Sequence, residues 1–144
     1  MNVDSDAKDL ISNLLSKTGT RIETVPLSPG VAENGTSEVN RCRVNISNER
    51  GSVSFIHYES PYNTLYGRMD DPTTIFISAM TDSQIVDKGI SFEDFCEETG
   101  YDPETGKELA ERTFSGLKKI NMKLRAMFSD EDYTKLSKLV LETL

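Results

Sequence analysis

Residues 39–58 read Val39-Asn-Arg-Cys-Arg-Val-Asn-Ile-Ser-Asn-Glu-Arg-Gly-Ser-Val-Ser-Phe-Ile-His-Tyr58, and their period decides the fold class. Cys42, Val44 and Ile46 alternate with Arg41, Arg43 and Asn45, the two-residue repeat that sends successive side chains to opposite faces of a strand. Past the turn formers Asn48-Glu49-Arg50-Gly51, the residues Val53, Phe55 and His57 alternate in the same way with Ser54, Ile56 and Tyr58. The stretch predicts a β-hairpin with one apolar face. A small antiparallel sheet of this kind must be covered by another layer, so the flanking sequence has to supply helices.

It does so on both sides. Upstream, Val3, Leu10, Ile11, Leu14 and Leu15 recur at helical spacing, with Asp4 or Ser5 as cap and Gly19 as stop, which predicts a helix over residues 5–17. Ile22, Val25 and Leu27 suggest an extended stretch that Pro26 demotes to an edge or irregular strand. Residues 28–38, rich in turn formers, read as a mobile loop. Downstream, Tyr62, Leu65, Tyr66 and Met69 fall in an irregular connection. Asp71-Pro72 then opens a helix with Ile75, Phe76, Ala79 and Met80 as its buried stripe. After Gly89, Ser91 and Asp94 form a capping-box pattern for a short helix carrying Phe92, Phe95 and Cys96, which Gly100 ends.

Asp102-Pro103 repeats the Asp-Pro start, and the helix it opens should run to about residue 128. Along it Leu109, Thr113, Phe114, Leu117, Ile120, Leu124, Met127 and Phe128 fall on one arc, about 140° wide. Lys107, Arg112, Lys118, Lys119, Lys123 and Arg125 fall on the other. Ser129, followed by Asp130, Glu131 and Asp132, caps a last helix with Tyr133, Leu136, Leu139 and Val140 inward. The expectation is an α+β chain: an N-terminal helix (residues 1–20) and a β-hairpin (39–58) packed with an all-helical half (71–144) containing one long amphipathic helix. At 144 residues, one domain is the default.

Charge is segregated along this chain. The net charge is −8, yet residues 41–69 carry four arginines against two glutamates. Residues 70–105 carry ten acids against Lys88 alone. The basic residues of the long helix reverse the sign again. The N-terminal residues show neither the basic nor the apolar region of a secretory signal, and no apolar run approaches the roughly 18 residues of a membrane span, so a cytoplasmic protein with no membrane contact is expected. The two cysteines, Cys42 and Cys96, are too few for a disulfide framework and read as reduced core residues.

Catalytic chemistry finds little to stand on. His57 is the one histidine. It lies in a predicted strand with no cysteine at ligand spacing, which argues against a zinc site or a nucleophile-base pair. No glycine-rich phosphate loop, nucleophile elbow or His-Glu-x-x-His pattern occurs, and residues 102–106 lack the alternating ligands of a calcium loop. No enzyme activity, metal or cofactor is expected. Glu93, Asp94, Glu97 and Glu98 crowd one short helix, and pairs one turn apart most often form a solvated face. Together with Asp87, Asp102 and Glu104 they could instead present arrayed carboxylates to a basic, phosphate-binding groove on another protein. Alternatively the acidic and basic segments neutralise each other within the fold. A further alternative places nucleic acid on Arg41, Arg43, Arg50, Arg112, Lys118, Lys119, Lys123 and Arg125; the acidic total weighs against it. Leu141 and Leu144 could pair two chains as a homodimer.

The run Ser91-Phe-Glu-Asp-Phe-Cys-Glu-Glu-Thr-Gly-Tyr-Asp-Pro-Glu-Thr-Gly-Lys107, followed by a long basic helix and a short acid-capped one, resembles a family of small bacteriophage and prophage proteins. There too a β-hairpin precedes a helix starting at a Pro-Thr pair, here Pro72-Thr73, and then the Phe-Glu-Asp-Phe-Cys and Gly-Tyr-Asp segments. Phe92, Phe95, Cys96, Gly100, Tyr101 and Asp102 carry the motif. The additional N-terminal helix and the glycines Gly106 and Gly116 depart from it. The resemblance implies a phage accessory role, and accessory proteins of this size and charge resemble stoichiometric inhibitors of host nucleic-acid-handling defence complexes, of anti-CRISPR or anti-restriction type. The partner implied is a host protein or ribonucleoprotein; the alternative is a nucleic-acid-binding or replication-accessory phage protein.

Overall fold

A computed structural model describes residues 3–31, 38–58, 70–86 and 89–143. The hairpin forms as its alternation requires. Strands β2 (Glu38–Asn48) and β3 (Gly51–Tyr58) run antiparallel with Cys42 opposite His57, Val44 opposite Phe55 and Ile46 opposite Val53. Cys42, Val44, Ile46 and Val53 are buried, while Ser54, Ile56 and Tyr58 turn outward. The sheet is one strand larger than the hairpin. β1 (Arg21–Val31) pairs antiparallel with β2, giving the order β1-β2-β3. Pro26 lies on this edge strand, where a residue without an N–H is tolerated.

The loop expected over residues 28–38 changes. Residues 28–31 belong to β1 and Glu38 opens β2, with a register shift between Leu27 and Gly30; only 32–37 of the expected loop remain, outside the described residues. Long-range pairing with β2 satisfies backbone groups that local turn chemistry suggests are unpaired, and the bulge absorbs the irregular Ser-Pro-Gly. The connection carrying Tyr62, Leu65, Tyr66 and Met69 also lies outside the described residues.

Five helices are described: α1 (Val3–Lys17), α2 (Pro72–Gln84), α3 (Phe92–Thr99), α4 (Lys107–Met127) and α5 (Asp130–Glu142). The caps follow the sequence. Asp71 accepts the N–H of Thr74 at 3.0 Å, Ser91 that of Asp94 at 3.1 Å and Ser129 that of Asp132 at 3.1 Å. α4 is the exception. It begins at Lys107, about one turn later than Asp102-Pro103 predicts, because the Asp102 side chain accepts the N–H groups of Glu104 and Thr105 and holds residues 103–106 as turns.

The core joins the inner sheet face to α1, α2, α4 and α5 through Ile11, Val44, Ile46, Phe76, Leu124 and Leu136, among others. α2 reaches the sheet through β1 and α4 through β3, while α1 and α5 pack on each other. Phe76 meets Phe128 edge-on, with ring centroids 6.1 Å apart. The stripe α4 buries is rotated from the expected arc. Leu124, Met127 and Phe128 are inside, but Leu109 is exposed and Ala110 and Asn121 are buried. Asn121 escapes an apolar pattern because it is polar; its Nδ2 donates to the Tyr133 hydroxyl at 3.3 Å, which makes burial tolerable. The far face of the sheet stays open, with Val25, Arg43, Ile56 and Tyr58 exposed.

Candidate partner-binding surface

The acidic cluster is positioned by α3. Eight residues are too few to form a stable helix alone, so this one depends on its ends and on one packed face. Ser91 caps the N-terminus, and Gly100 closes the C-terminus at φ 84°, its N–H donating to the Cys96 carbonyl at 2.9 Å. The packed face is aromatic: Phe95 lies 4.9 Å from the Phe114 ring, Phe92 5.9 Å from the same ring, and Phe95 6.3 Å from Tyr101. Burial pushes the Cys96 thiol up, and the nearby Glu93 and Asp102 carboxylates add to the shift; the side chain is buried in the core.

With Phe95 and Cys96 committed inward, Glu93, Asp94, Glu97 and Glu98 are all exposed, as are Asp102 and Glu104 in the following turn. Asp102 sits below the usual carboxylate range, chiefly because the backbone N–H groups of Thr105 and Glu104 bond its charged form. Asp87 lies outside the described residues. Between the end of α2 and α3 the surface sinks into a groove of about 600 Å³ lined by Gln84, Ile85, Ile90, Asp94, Glu97 and Glu98. The isoleucines and Gln84 are the part of this site that sequence reasoning missed. Their only sequence signal is two isoleucines flanking the break at Gly89, which becomes informative once α2 and α3 are placed side by side.

Among the described residues, the salt bridges lie away from these carboxylates. The ion pairs described are Lys8 with Asp71 at 2.7 Å, Lys107 with Glu111 at 3.9 Å and Lys135 with Glu131 at 3.4 Å, and His57 Nε2 is hydrogen-bonded to Asp70 at 2.8 Å. None engages the carboxylates between residues 93 and 104. His57 and Asp70 lie 12% and 9% exposed and tie the end of β3 to the entry of α2, a structural use of the one histidine. Among the described residues, no three metal-binding side chains converge.

The basic candidates fall on separate surfaces. Arg112, Lys118, Lys119, Lys123 and Arg125 line the exposed side of α4, Lys118 resting 4.8 Å from the Phe114 ring and Arg125 4.9 Å from that of Tyr133. Arg41 and Arg43 belong to the open face of the sheet, where Arg41 Nε donates to the Ser28 carbonyl at 2.7 Å. Arg50 is exposed at the hairpin turn. α4 covers the opposite face of the sheet from Arg41 and Arg43, so the two sets do not form one basic patch.

No helix among the described residues is long and apolar enough to cross a membrane. Compared with family models, curated proteins and solved structures, the chain matches none of them.

Proposed function

We propose that this protein acts by stoichiometric binding, presenting the carboxylates of α3 and its following turn to a basic surface on a partner that handles nucleic acid. The observation that carries this reading is the set of six exposed carboxylates, Glu93, Asp94, Glu97, Glu98, Asp102 and Glu104, with no salt bridge to them among the described residues, beside a groove lined by Ile85 and Ile90. Carboxylates one helical turn apart, about 5–6 Å between their Cβ atoms, offer a basic groove a row of charge comparable in spacing to phosphates. Two of them stand where the fold gains nothing from them. Glu97 and Glu98 occupy the last turn of α3, which has no basic residue and where the helix dipole disfavours negative charge.

The resemblance of residues 91–107 to small phage proteins extends the proposal to a host defence complex of anti-CRISPR or anti-restriction type as the partner, met in the host cytoplasm. The test is capture by the tagged protein from nuclease-treated bacterial lysate at two salt concentrations. Recovery of a basic nucleic-acid-handling complex, lost at high salt and lost when Glu93, Asp94, Glu97 and Glu98 are neutralised, supports the reading; recovery unaffected by that neutralisation sinks it.

One observation favours a second reading. Arg41 pairs across the sheet with Tyr58 and Arg43 with Ile56, so guanidinium groups and an aromatic share one open face, the combination used to bind single-stranded nucleic acid. Salt-sensitive binding of a labelled oligonucleotide, abolished by Arg43→Glu and Tyr58→Ala, would favour this alternative.

A further inference from the structure

On the opposite side of the core from the sheet, α1 and α5 leave between them a groove of about 450 Å³ floored by Leu10, Leu14 and Leu139 and flanked by Lys17, Lys135 and Lys138. Two of its features call for a partner. Leu10, which lines it, is 53% exposed. The rim is cationic in a chain of net charge −8, with Glu142 its one acid. Of the three lysines, Lys135 reaches Glu131, and neither Lys17 nor Lys138 has a salt-bridge partner among the described residues.

The occupant is written into α1 itself. Asp6, Leu10, Asn13 and Lys17 are separated by four, three and four residues, which at about 100° per residue places all of them within a strip about 60° wide. All four are exposed, whereas Ala7, Ile11 and Leu15 turn to the core. Read backwards, the strip keeps its spacing and exchanges its charges. An antiparallel copy therefore sets Asp6 against Lys17 at both ends and Leu10 against Asn13 in the middle, with each Leu10 also reaching the apolar floor of the other protomer's groove.

We infer that this face is a twofold interface between two copies of the chain, with α1 packed antiparallel on its symmetry mate across the groove between α1 and α5. A twofold interface must match itself, and this strip does. It lies away from α3, which packs chiefly on α4, so the dimer and the proposed acidic surface can be used together.

Sedimentation equilibrium of the full chain over a wide concentration range tests the inference. The expected result is a reversible monomer–dimer equilibrium. Lys17→Glu places like charges at both ends and should weaken the dimer about tenfold or more. Asp6→Lys combined with Lys17→Asp restores opposite charges and should recover the original dissociation constant within about threefold. Leu10→Glu should leave a monomer. All of these side chains are exposed, so circular dichroism should show an unchanged fold, and a variant that loses its fold is replaced by Leu10→Ser. A chain monomeric at every concentration overturns the inference, and so does a dimer indifferent to Leu10→Glu and Lys17→Glu.

Discussion

Neutralising the end of α3 should change stability and binding in opposite directions. Glu97→Gln with Glu98→Gln removes two carboxylates from the last turn of a helix, each opposed by the helix dipole at a cost of about 0.3 kcal/mol for an exposed group. It also relieves two like-charge pairs one turn apart, Glu93 with Glu97 and Asp94 with Glu98, at roughly 0.2–0.5 kcal/mol each. The sum is a gain of about 1 kcal/mol, or about 3 °C in Tm for a chain of this length. Binding should move the other way. Losing two exposed charge pairs with a basic partner weakens the complex by about 1–2 kcal/mol, roughly five- to thirtyfold, and the deficit should shrink as salt rises. Thermal melts, amide exchange over residues 92–99 and biosensor titrations against the captured partner measure both sides. If stability and affinity fell together, the carboxylates would be structural and the reasoning wrong.

Three other outcomes follow from single contacts. Burial raises the pKa of Asp71, but the bond from Lys8 and those from Thr74 outweigh it, and the carboxyl ends below its ordinary value; its contribution is present above the usual carboxylate range and lost as pH falls through the folded pKa, so Asp71→Asn should flatten the decline of Tm in acid. Tyr133→Phe leaves the buried amide of Asn121 without its partner and should cost about 1–3 kcal/mol in denaturant melts. Gly100→Ala meets no atom within 4 Å, so its cost, about 1 kcal/mol in the same melts, should come from the left-handed backbone alone.

What the sequence made legible was local. The alternation of Cys42, Val44 and Ile46, the caps at Asp71, Ser91 and Ser129 and the stop at Gly100 each depend on residues a few positions apart, and each stands where it was expected. The strand β1 was only half visible, because what makes it a strand is its pairing with β2 and not its own composition. Asp102 misled for a related reason: an aspartate before proline serves a helix or a turn equally well, and here its side chain accepts the N–H groups of a turn, so the helix starts beyond it. The acidic residues of the candidate site were readable one by one. Their groove was not, since Ile85 and Ile90 become neighbours of Glu97 only when two helices are brought together. The pairing of His57 with Asp70 was equally out of reach, because it closes across a connection that carries no periodic signal.

The aromatic seat beneath α3 has a consequence for how the protein can change over generations. Phe92, Phe95, Tyr101 and Phe114 form a satellite cluster apart from the main core around the sheet. Substitutions among Glu93, Asp94, Glu97 and Glu98 therefore touch neither core. The exposed side of this short helix can be rewritten letter by letter while the scaffold beneath it goes on folding unaltered.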